Sequence, residues 1–380
     1  MTAATTSDRA PALLVLEDGR SFRGFSLGAI GETFGEAVFC TGMTGYQETL
    51  TDPSYHRQVV VMTAPHIGNT GMNHEDVESD RIWVSGYVVR EPARLASSWR
   101  ARYDLDSALR AQGVVGISGV DTRALTRHLR DRGAMRVGIF SGDLATDESA
   151  GSTLQARVRA TAPMTGADLA GDVSTSAAYV VPAAGPKRFT VAAVDLGIKT
   201  MTLRRLAERG IETHVLPADA GPDAVYAIDP DAVFLSNGPG DPETADLSLI
   251  QTALARRTPV FGICLGHELL GRALGFSTYK LKYGHRGINQ PVQDRRTGKV
   301  EITAHNHGFA LDMPLDGPIA TQFGRVEVTH VCLNDNVVEG LSLLDRPAFS
   351  VQYHPEASAG PHDARHLFDR FVSMLEEQRA

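Results

Sequence analysis

The segment Gly262-Ile-Cys264-Leu-Gly266 carries the clearest chemical signal in this 380-residue chain. It follows a short apolar stretch that predicts a strand, and it precedes a helical pattern of leucine and alanine. A cysteine between such elements is typical of a nucleophile elbow, where flanking glycines leave room for a strained turn. The helix N-terminus would lower the pKa of the Cys264 thiol, and the Leu265 N–H could stabilise an oxyanion. We therefore predict a nucleophilic Cys264; an inert core thiol is the alternative.

His354 and Glu356 could supply the base that a thiolate nucleophile requires. The stretch Ala348–Tyr353 predicts a strand, and His354-Pro355-Glu356 continues past its end. In an extended chain, residues i and i+2 point to the same side, so Glu356 could orient the imidazole of His354. Together with Cys264 they would form a Cys–His–Glu triad in which the acid fixes the tautomer of the base. A capped turn is the alternative interpretation of this short segment.

A third segment, Ser236-Asn-Gly-Pro-Gly-Asp-Pro242, follows another predicted strand. Its glycines can turn backbone N–H groups toward a substrate oxygen, as an oxyanion hole or an anion nest would. Asn-Gly and Pro-Gly are also common turn dipeptides, so a plain turn is an equally good interpretation.

Three further patterns lack support for the chemistry they suggest. Gly197-Ile-Lys-Thr200 follows a strand, but the Gly-x4-Gly-Lys spacing of a phosphate-binding loop is missing. His305-Asn-His307 could chelate a metal, yet no third ligand has a supporting spacing, so we predict no metal site. The arginines of one predicted helix indicate a solvated face rather than a nucleic-acid site, because the chain is acidic. They are Arg123, Arg127, Arg130 and Arg132.

The first half of the chain is mostly strand. The stretches Ala12–Leu16 and Ser21–Gly24 predict a hairpin closed at Asp18-Gly19. The other predicted elements are strands at Glu36–Cys40, Gln58–Met62, Ile82–Arg90 and Met135–Phe140, and a helix that begins at Asp121 or Thr122 and stops at Gly133.

A change in composition separates this region from the second half. Between Ser174 and Lys187 the chain is rich in Ser, Thr, Ala, Pro and Gly and carries almost no charge, which is typical of a linker. We place the domain boundary near Arg188, which gives an N-terminal domain of residues 1–188 and a C-terminal domain of residues 189–380.

In the second half, short apolar strands alternate with helices, which predicts an α/β fold with a mainly parallel sheet and crossover connections. Ligands bind at the carboxyl ends of strands in such sheets, so the loops after Ser236, Ile263 and Tyr353 are the candidate site. The predicted strands are Phe189–Asp195, Ile211–Leu216, Ala232–Ser236, Pro259–Ile263 and Ala348–Tyr353, and the helices are Thr200–Arg209 and Ala245–Arg256.

Composition and charge exclude several classes of protein. Apolar residues make up 42% and charged residues 22% of the chain, as in ordinary globular proteins of two or three domains. The formal net charge of −8 argues against binding to nucleic acid or to an anionic membrane. We see no targeting signal and no uncharged apolar run of about 18 residues, so we expect a cytoplasmic protein. Three cysteines without a CxxC pair fit that compartment, with Cys40 and Cys332 in the core.

Taken together, the three chemical segments resemble those of class I, triad-type glutamine amidotransferases. The matching residues are Ser236-Asn-Gly-Pro-Gly-Asp-Pro242, Gly262-Ile-Cys-Leu-Gly-His267 and His354-Pro-Glu356. The first half is similar to the small subunit of glutamine-dependent carbamoyl-phosphate synthetase, and this resemblance runs from about residue 12 to the last helix. Its motifs are Met43-Thr-Gly-Tyr-Gln-Glu48, Leu50-Thr-Asp-Pro-Ser-Tyr55, Pro65-His-Ile-Gly-Asn69 and Asp121-Thr-Arg-Ala-Leu-Thr-Arg127.

This resemblance implies a β-rich N-terminal domain that forms the interface with a large subunit, followed by a class I glutamine amidotransferase-like domain. Cys264 would attack the side-chain amide of L-glutamine to give a γ-glutamyl thioester, with His354 as the base and Glu356 holding the imidazole. Ammonia would pass to the large subunit, which makes carbamoyl phosphate from bicarbonate and ATP for pyrimidine or arginine biosynthesis. The implied assembly is a heterodimer or a higher oligomer of it. ATP and Mg would be used by the large subunit, and no cofactor is implied for this chain.

The family's glutamine contacts map onto eight positions of this sequence. They are Ser54, Gly238, Gly240, Leu265, Glu268, Asn306, Gly308 and Phe309, with backbone N–H groups of Gly238 and Leu265 as the oxyanion hole. At position 268 the family usually has glutamine, whereas this chain has glutamate. A carboxylate there would help beside the α-ammonium of the substrate and would weaken binding beside its α-carboxylate.

Two other functions are compatible with the sequence. A non-catalytic regulatory or scaffolding subunit could serve an ammonia-using synthetase, but such a role would not require Cys264. A stand-alone cysteine hydrolase or peptidase could use the same fold, but the N-terminal domain would then lack a purpose.

Overall fold

The computed structural model of the chain describes residues 9–146 and 151–380. These residues divide into two units. The first unit runs to Met164 and includes Lys282–Arg286, and the second consists of Thr165–Leu281 and Gly287–Ala380.

The first unit consists of short strands with a few helices between them. The strands are β1 (Pro11–Leu16), β2 (Ser21–Gly28), β3 (Glu32–Cys40), β4 (Gln58–Met62), β5 (His66–Ile67), β6 (Gly86–Val88), β7 (Glu91–Pro92), β8 (Val115–Ser118) and β9 (Met135–Ser141). The helices are α1 (Tyr46–Thr51), α2 (Leu105–Ala111), α3 (Thr122–Arg132) and α4 (Gly151–Arg159).

Most of these strands close into a barrel in the order β1-β2-β8-β6-β4-β3-β9. The predicted hairpin is confirmed, since β1 and β2 pair antiparallel with Val15 opposite Ser21. The alternation of side chains along the strands places aliphatic residues inside the barrel, among them Leu14, Val59 and Val137. The N-terminal half is therefore β-rich, as predicted.

Helix α3 shows both of its predicted end signals. The side chain of Asp121 accepts a hydrogen bond from the Ala124 N–H at 2.9 Å, and the helix stops at Gly133, whose φ is 103°. Leu125 and Leu129 are buried on one face. The arginines of this helix are exposed, which agrees with a solvated face.

The second unit alternates strands and helices and then continues as strands. The helices are α5 (Ala170–Val173), α6 (Thr200–Ala207), α7 (Pro222–Tyr226), α8 (Ser248–Arg256), α9 (Leu265–Ala273) and α10 (His366–Arg379). The strands are β10 (Tyr179–Val181), β11 (Phe189–Asp195), β12 (Ile211–Pro217), β13 (Ala232–Leu235), β14 (Val260–Ile263), β15 (Ser277–Asp294), β16 (Val300–Asp312), β17 (Ile319–Thr321), β18 (Gly324–Cys332), β19 (Val338–Leu343) and β20 (Ala348–Val351).

One sheet runs through this unit in the order β10-β12-β11-β13-β14-β20-β19-β18-β15-β16. The strands from β12 to β20 in this order are parallel, which confirms the predicted parallel sheet with crossover helices. Beyond β20 the sheet continues antiparallel through β19 and β18. This antiparallel part was not predicted from the sequence.

Helices cover both faces of the parallel strands. On one face, Leu206 of α6 and Phe368 and Phe371 of α10 pack on Phe261 and other strand residues. On the other face, α8 and α9 bury residues such as Ile250 and Leu270. The hydrophobic core therefore lies on both sides of the sheet and fixes the carboxyl ends of its strands, where the candidate residues lie.

The structure places the division between the units at Met164/Thr165, earlier than the position near Arg188 expected from composition. Within the segment between these positions, Tyr179–Val181 form β10, which pairs antiparallel with β12. The Thr175 N–H donates to Asp195 Oδ2 at 2.8 Å. Because β10 is an edge strand with largely exposed side chains, its sequence lacks the apolar pattern of a buried strand and resembles a linker.

No helix in the described ranges is both long enough and apolar enough to cross a membrane.

Candidate active site

Cys264 occupies a strained turn between β14 and α9. Its backbone φ of 55° lies in the left-handed region that residues other than glycine rarely adopt. The positions on either side must be glycine, because neighbouring backbone atoms lie too close to leave room for a side chain. A Cβ on Gly266 would lie 2.3 Å from the Leu235 carbonyl oxygen, and one on Gly262 would lie 2.5 Å from the Gly266 carbonyl oxygen. The predicted strand-turn-helix arrangement around this cysteine is therefore present.

His354 and Glu356 follow β20 and lie in direct contact. The Nδ1 atom of His354 is 2.8 Å from Oε1 of Glu356, and both side chains are buried. A carboxylate only accepts hydrogen bonds, so Nδ1 carries the proton and Nε2 presents its lone pair. Among the residues that the structure describes, that Nε2 atom has no hydrogen-bond partner. It can therefore accept a proton from a thiol or from a substrate.

Neighbouring parallel strands bring Cys264 and His354 to one edge of the sheet. Strands β14 and β20 are paired, and the Cys264 N–H donates to the Val351 carbonyl oxygen at 2.9 Å. Strand β16 contacts both residues. The thiol of Cys264 donates to the Asn306 carbonyl oxygen at 3.6 Å, and the His354 N–H donates to the Ala304 carbonyl oxygen at 2.9 Å. The sheet thus supports the nucleophile and the base through contacts with the backbone of neighbouring strands.

Lys199 is a third member of the His354–Glu356 cluster, and sequence reasoning missed it. Its Nζ atom lies 3.2 Å from Oε1 of Glu356 and 3.3 Å from Nδ1 of His354. Burial alone would raise the pKa of Glu356, but the charges of His354 and Lys199 outweigh it and lower that pKa to about 2. Glu356 is therefore a carboxylate at neutral pH. The signal that could have found Lys199 is its place after the carboxyl end of β11, another parallel strand.

Replacing Lys199 with methionine is expected to lower the stability of the chain. Glu356 contributes stability above its ordinary pKa of 4.5, and this contribution is lost as the pH falls toward its folded pKa of about 2. Without the ammonium group the folded pKa rises. The free energy of unfolding at neutral pH then falls by about 2 kcal/mol, and acid unfolding begins at a higher pH.

Urea unfolding at neutral and acidic pH measures both effects of Lys199→Met. The matched control is Lys187→Met, which removes the exposed pair between Lys187 and Glu212 and is expected to cost much less stability than Lys199→Met, because water and salt screen an exposed ion pair. Equal losses in the two variants would contradict the proposed effect of Lys199 on Glu356.

The loop after β13 carries Gly238 and Gly240 and is tied to the cysteine turn. The Ser236 hydroxyl accepts a hydrogen bond from the Leu196 N–H at 2.9 Å. The Gly266 N–H, on the first turn of α9, donates to the Ser236 carbonyl oxygen at 3.1 Å. Ser236 therefore links this loop to the turn that carries Cys264.

Glu268 lies on the first turn of α9 and is buried. Its Oε1 atom accepts a hydrogen bond from Gln352 Nε2 at 3.0 Å, a contact that the sequence did not reveal. Burial raises the pKa of Glu268 to about 8, the bond from Gln352 opposes this rise, and the charges of Asp241 and Glu339 add to it. At neutral pH the carboxyl group is therefore mostly protonated, and it resembles the amide of the glutamine usual in the family that this chain resembles.

Glu268→Gln is expected to remove a loss of stability that the native chain shows as the pH rises from 4.5 to 8. The carboxyl group titrates near pH 8 when folded and near 4.5 when unfolded, so the native state holds the proton more tightly. The native free energy of unfolding therefore falls as the pH rises from 4.5 to 8, by at most about 1.4 kcal/mol per pH unit. Urea unfolding of both proteins across this range measures the difference. A difference that does not change with pH would contradict the raised pKa.

The remaining predicted glutamine contacts fall in both units. They are Asn306, Gly308 and Phe309 on β16, Leu265 as the first residue of α9, and Ser54 in the first unit, where its N–H donates to Asp52 Oδ1 at 2.9 Å. The Leu265 N–H is among the first donors of α9, which have no acceptor within the helix. The contacts of all these residues with glutamine stay predictions.

The other two cysteines are buried and far less suited to chemistry. Burial raises the pKa of the Cys40 thiol, and it raises the pKa of Cys332 to about 12. Both thiols are therefore protonated at neutral pH. This agrees with the prediction that they are core residues.

Comparisons with known proteins cover nearly the whole chain. Residues 14–139 match the family described as carbamoyl-phosphate synthase small chain, CPSase domain, and residues 192–374 match class-I glutamine amidotransferases. The chain is 72% identical to the carbamoyl phosphate synthase small chain of Streptomyces coelicolor over 100% of both proteins. It is 59% identical to the protein of that name from Mycolicibacterium paratuberculosis, over 97% of this chain and 99% of that protein. The chain therefore belongs to the family of carbamoyl phosphate synthase small chains.

Proposed function

We propose that this chain hydrolyses L-glutamine at Cys264 and delivers the ammonia to a large subunit that makes carbamoyl phosphate. The chain is a small chain of carbamoyl phosphate synthase with a glutamine amidotransferase domain, which supports this role. The observation that carries the proposal is the position of Cys264 in a strained turn at the end of β14. This strand pairs with β20, which leads into the His354–Glu356 pair.

In the first step, His354 Nε2 accepts the proton of the Cys264 thiol as the sulfur attacks the side-chain carbonyl carbon of glutamine. The positive end of α9 favours the thiolate, because the cysteine immediately precedes that helix. The carbonyl oxygen of the substrate becomes an oxyanion. It would accept hydrogen bonds from the backbone N–H groups of Leu265 and Gly238.

The tetrahedral intermediate then collapses and breaks the bond between carbon and nitrogen. The imidazolium of His354 gives its proton to the departing nitrogen, so that ammonia leaves and a γ-glutamyl thioester remains on Cys264. Glu356 holds the imidazole in its tautomer and balances the positive charge while the imidazolium exists.

In the second half of the cycle, water replaces ammonia. His354 takes a proton from the water as its oxygen attacks the thioester, and the bond between carbon and sulfur breaks. Glutamate leaves, and the proton returns to the thiolate of Cys264. These steps need only side chains and backbone groups of this chain, so we propose no cofactor for them and assign ATP and Mg to the large subunit.

The family to which the chain belongs implies a large subunit as its partner. We propose a heterodimer, alone or as the unit of a higher oligomer, with the N-terminal unit forming the interface. The reduced state that Cys264 needs and the ATP used by the partner both favour the cytoplasm as the place of the reaction.

The direct test is to purify the chain with its large subunit and to measure carbamoyl phosphate made from glutamine and from ammonium. Cys264→Ser is expected to abolish the glutamine-driven activity and to leave the ammonium-driven activity intact. Cys332→Ser, which changes a buried cysteine far less suited to chemistry, is the matched control.

The other outcomes of this test would overturn the proposal. Equal activity of the native and Cys264→Ser complexes with glutamine would indicate a regulatory or scaffolding subunit. Hydrolysis of peptides by the chain without a partner would indicate a stand-alone hydrolase.

A further inference from the structure

A cavity of about 470 Å³ in the second unit is lined by four arginines, which are Arg257, Arg296, Arg346 and Arg370. It lies at the amino end of β20, because Pro347, which also lines it, immediately precedes that strand. Cys264 and His354 follow the carboxyl ends of β14 and β20. The cavity is therefore separate from the candidate active site.

Backbone carbonyl groups hold two of these guanidinium groups in place. Arg346 donates from Nε to the Phe323 carbonyl oxygen and from Nη1 to the Leu254 carbonyl oxygen, each at 2.6 Å. Arg257 donates from Nη2 to the Asp345 carbonyl oxygen at 2.9 Å. A guanidinium has five N–H donors, so these contacts leave most donors of both side chains for other partners.

Arg370, on α10, is half-buried beside groups that carry no charge. Its Nη2 atom donates to the Ser342 hydroxyl at 3.2 Å, and its guanidinium lies 4.3 Å from the centre of the Phe349 ring. Burial and the charge of Arg296 outweigh the charge of Asp294 and lower the pKa of Arg370 to about 10, so the group is still protonated at neutral pH. A positive group that is partly removed from water in this way favours the binding of an anion.

The charges that line the cavity also favour an anion. Among the residues of the described ranges, Arg296 is the one arginine of the four with an ion pair, at 2.7 Å from Glu327. The two carboxylates of the lining are Asp345, which pairs with Arg325 at 2.9 Å, and the exposed Glu377. Four arginines against two carboxylates give a net positive lining, although the chain as a whole has a formal net charge of −8. The cluster is therefore a local feature of this cavity.

The cavity suits an organic phosphate in chemistry and in size. Planar guanidinium groups match the oxygens of phosphate, which accept paired hydrogen bonds. The volume is larger than a phosphate ion and lies within the range of small-molecule sites, and the apolar side chains of Pro347 and Met374 also line it. We propose that this cavity binds the phosphate group of a small organic molecule through Arg257, Arg346 and Arg370. The site takes no part in glutamine hydrolysis.

The test is isothermal titration of the full chain without the large subunit, because that subunit is proposed to use ATP and would itself bind phosphate compounds. The probes are inorganic phosphate, AMP, and adenosine, which lacks the phosphate group. We expect one AMP per chain, weaker binding of inorganic phosphate, and no binding of adenosine at millimolar concentration. The affinity for AMP is expected to fall as the concentration of NaCl is raised.

Variants of the cavity are expected to shift the affinity for AMP in both directions. Arg257→Gln and Arg370→Gln each remove a charged donor and are expected to weaken binding by about 10-fold or more. Arg257 is exposed, so its variant remains informative even if Arg370→Gln fails to fold. Glu377→Gln removes an opposing carboxylate and is expected to tighten binding. Arg188→Gln, at an exposed pair with Glu376 outside the cavity, is the matched control and is expected to change nothing.

Four results would count against the proposal. Native chain that binds neither inorganic phosphate nor AMP would overturn it, and this result does not depend on the folding of any variant. An equal loss of affinity in Arg188→Gln and Arg257→Gln would indicate general attraction of anions to the surface. Adenosine that binds as tightly as AMP would show that the phosphate group is not recognised. Equal affinity for inorganic phosphate and AMP would overturn the assignment of an organic ligand in favour of free phosphate.

Discussion

His354→Asn is expected to lower glutamine-dependent synthesis of carbamoyl phosphate by about 10³-fold. In the proposed mechanism, Nε2 of His354 takes the thiol proton and later gives a proton to the departing ammonia. The amide of asparagine can do neither at neutral pH. Ammonium-dependent synthesis bypasses both steps, so it is expected to stay within about twofold of the native value.

The measurement uses the complex with the large subunit and compares the two nitrogen sources in parallel. His362→Asn is the matched control, because His362 is an exposed histidine in the same C-terminal region. It is expected to leave both activities unchanged. An equal loss with glutamine and with ammonium in His354→Asn would contradict the role of this residue as the base and would indicate damage to the whole complex.

Glu356→Gln is expected to lower the glutamine-dependent rate by about 10³-fold or more, although the two side chains have nearly the same shape. The carboxylate accepts the proton on Nδ1 of His354, which leaves the lone pair on Nε2. An amide could instead donate to Nδ1. The proton of the imidazole would then sit on Nε2, and His354 could no longer accept the thiol proton.

Glu356→Asp tests whether a carboxylate at this position is enough to support catalysis. It keeps a carboxylate and therefore the tautomer, and we expect a smaller loss of about 10²-fold from its shorter reach. Nitrogen NMR of the histidine rings reports directly which nitrogen of His354 carries the proton. Glu376→Gln, at an exposed pair with Arg188, is the control. A large loss of rate in Glu356→Gln with the native tautomer of His354 would contradict this explanation.

The parts of the site with local signals could be predicted from the sequence. The glycines around Cys264 are adjacent in the chain to the turn that requires them, so their spacing indicates the turn. His354 and Glu356 are two residues apart, and the turn at Pro355-Glu356 brings their side chains to 2.8 Å, so their contact is local even though the strand itself ends at Val351. The same holds for helix α3, whose cap at Asp121 and stop at Gly133 lie within its own segment.

The parts that depend on tertiary contacts could not be predicted. Lys199 lies in a segment without a complete motif, and only the assembled sheet brings it within 3.2 Å of Glu356. Gln352 reaches Glu268 in the same way. The state of Glu268 was also hidden, because the sequence gives its charge type but not the burial that raises its pKa to about 8. Its carboxyl group is mostly protonated at neutral pH. The effects on glutamine binding that a carboxylate at this position would have are therefore reduced.

Two features of the fold differ from expectation for related reasons. Strands β15, β16 and β18 contain many polar and charged residues with irregular burial, so they lack the apolar runs that marked the parallel strands. The segment with β10 has a linker-like composition because its side chains at the sheet edge are mostly exposed. In both cases backbone hydrogen bonds form a strand that the pattern of side chains does not predict.

In the proposed mechanism, Cys264 forms a thioester with the γ-carbonyl of glutamine. The most direct measurement is to quench the complex in acid during turnover with glutamine and to determine the mass of the intact small chain. We expect a gain of about 129 Da, the mass added by a γ-glutamyl group, located on the peptide that contains Cys264 and absent from Cys264→Ser. An adduct on another residue, or turnover of glutamine with Cys264 unmodified throughout, would contradict it.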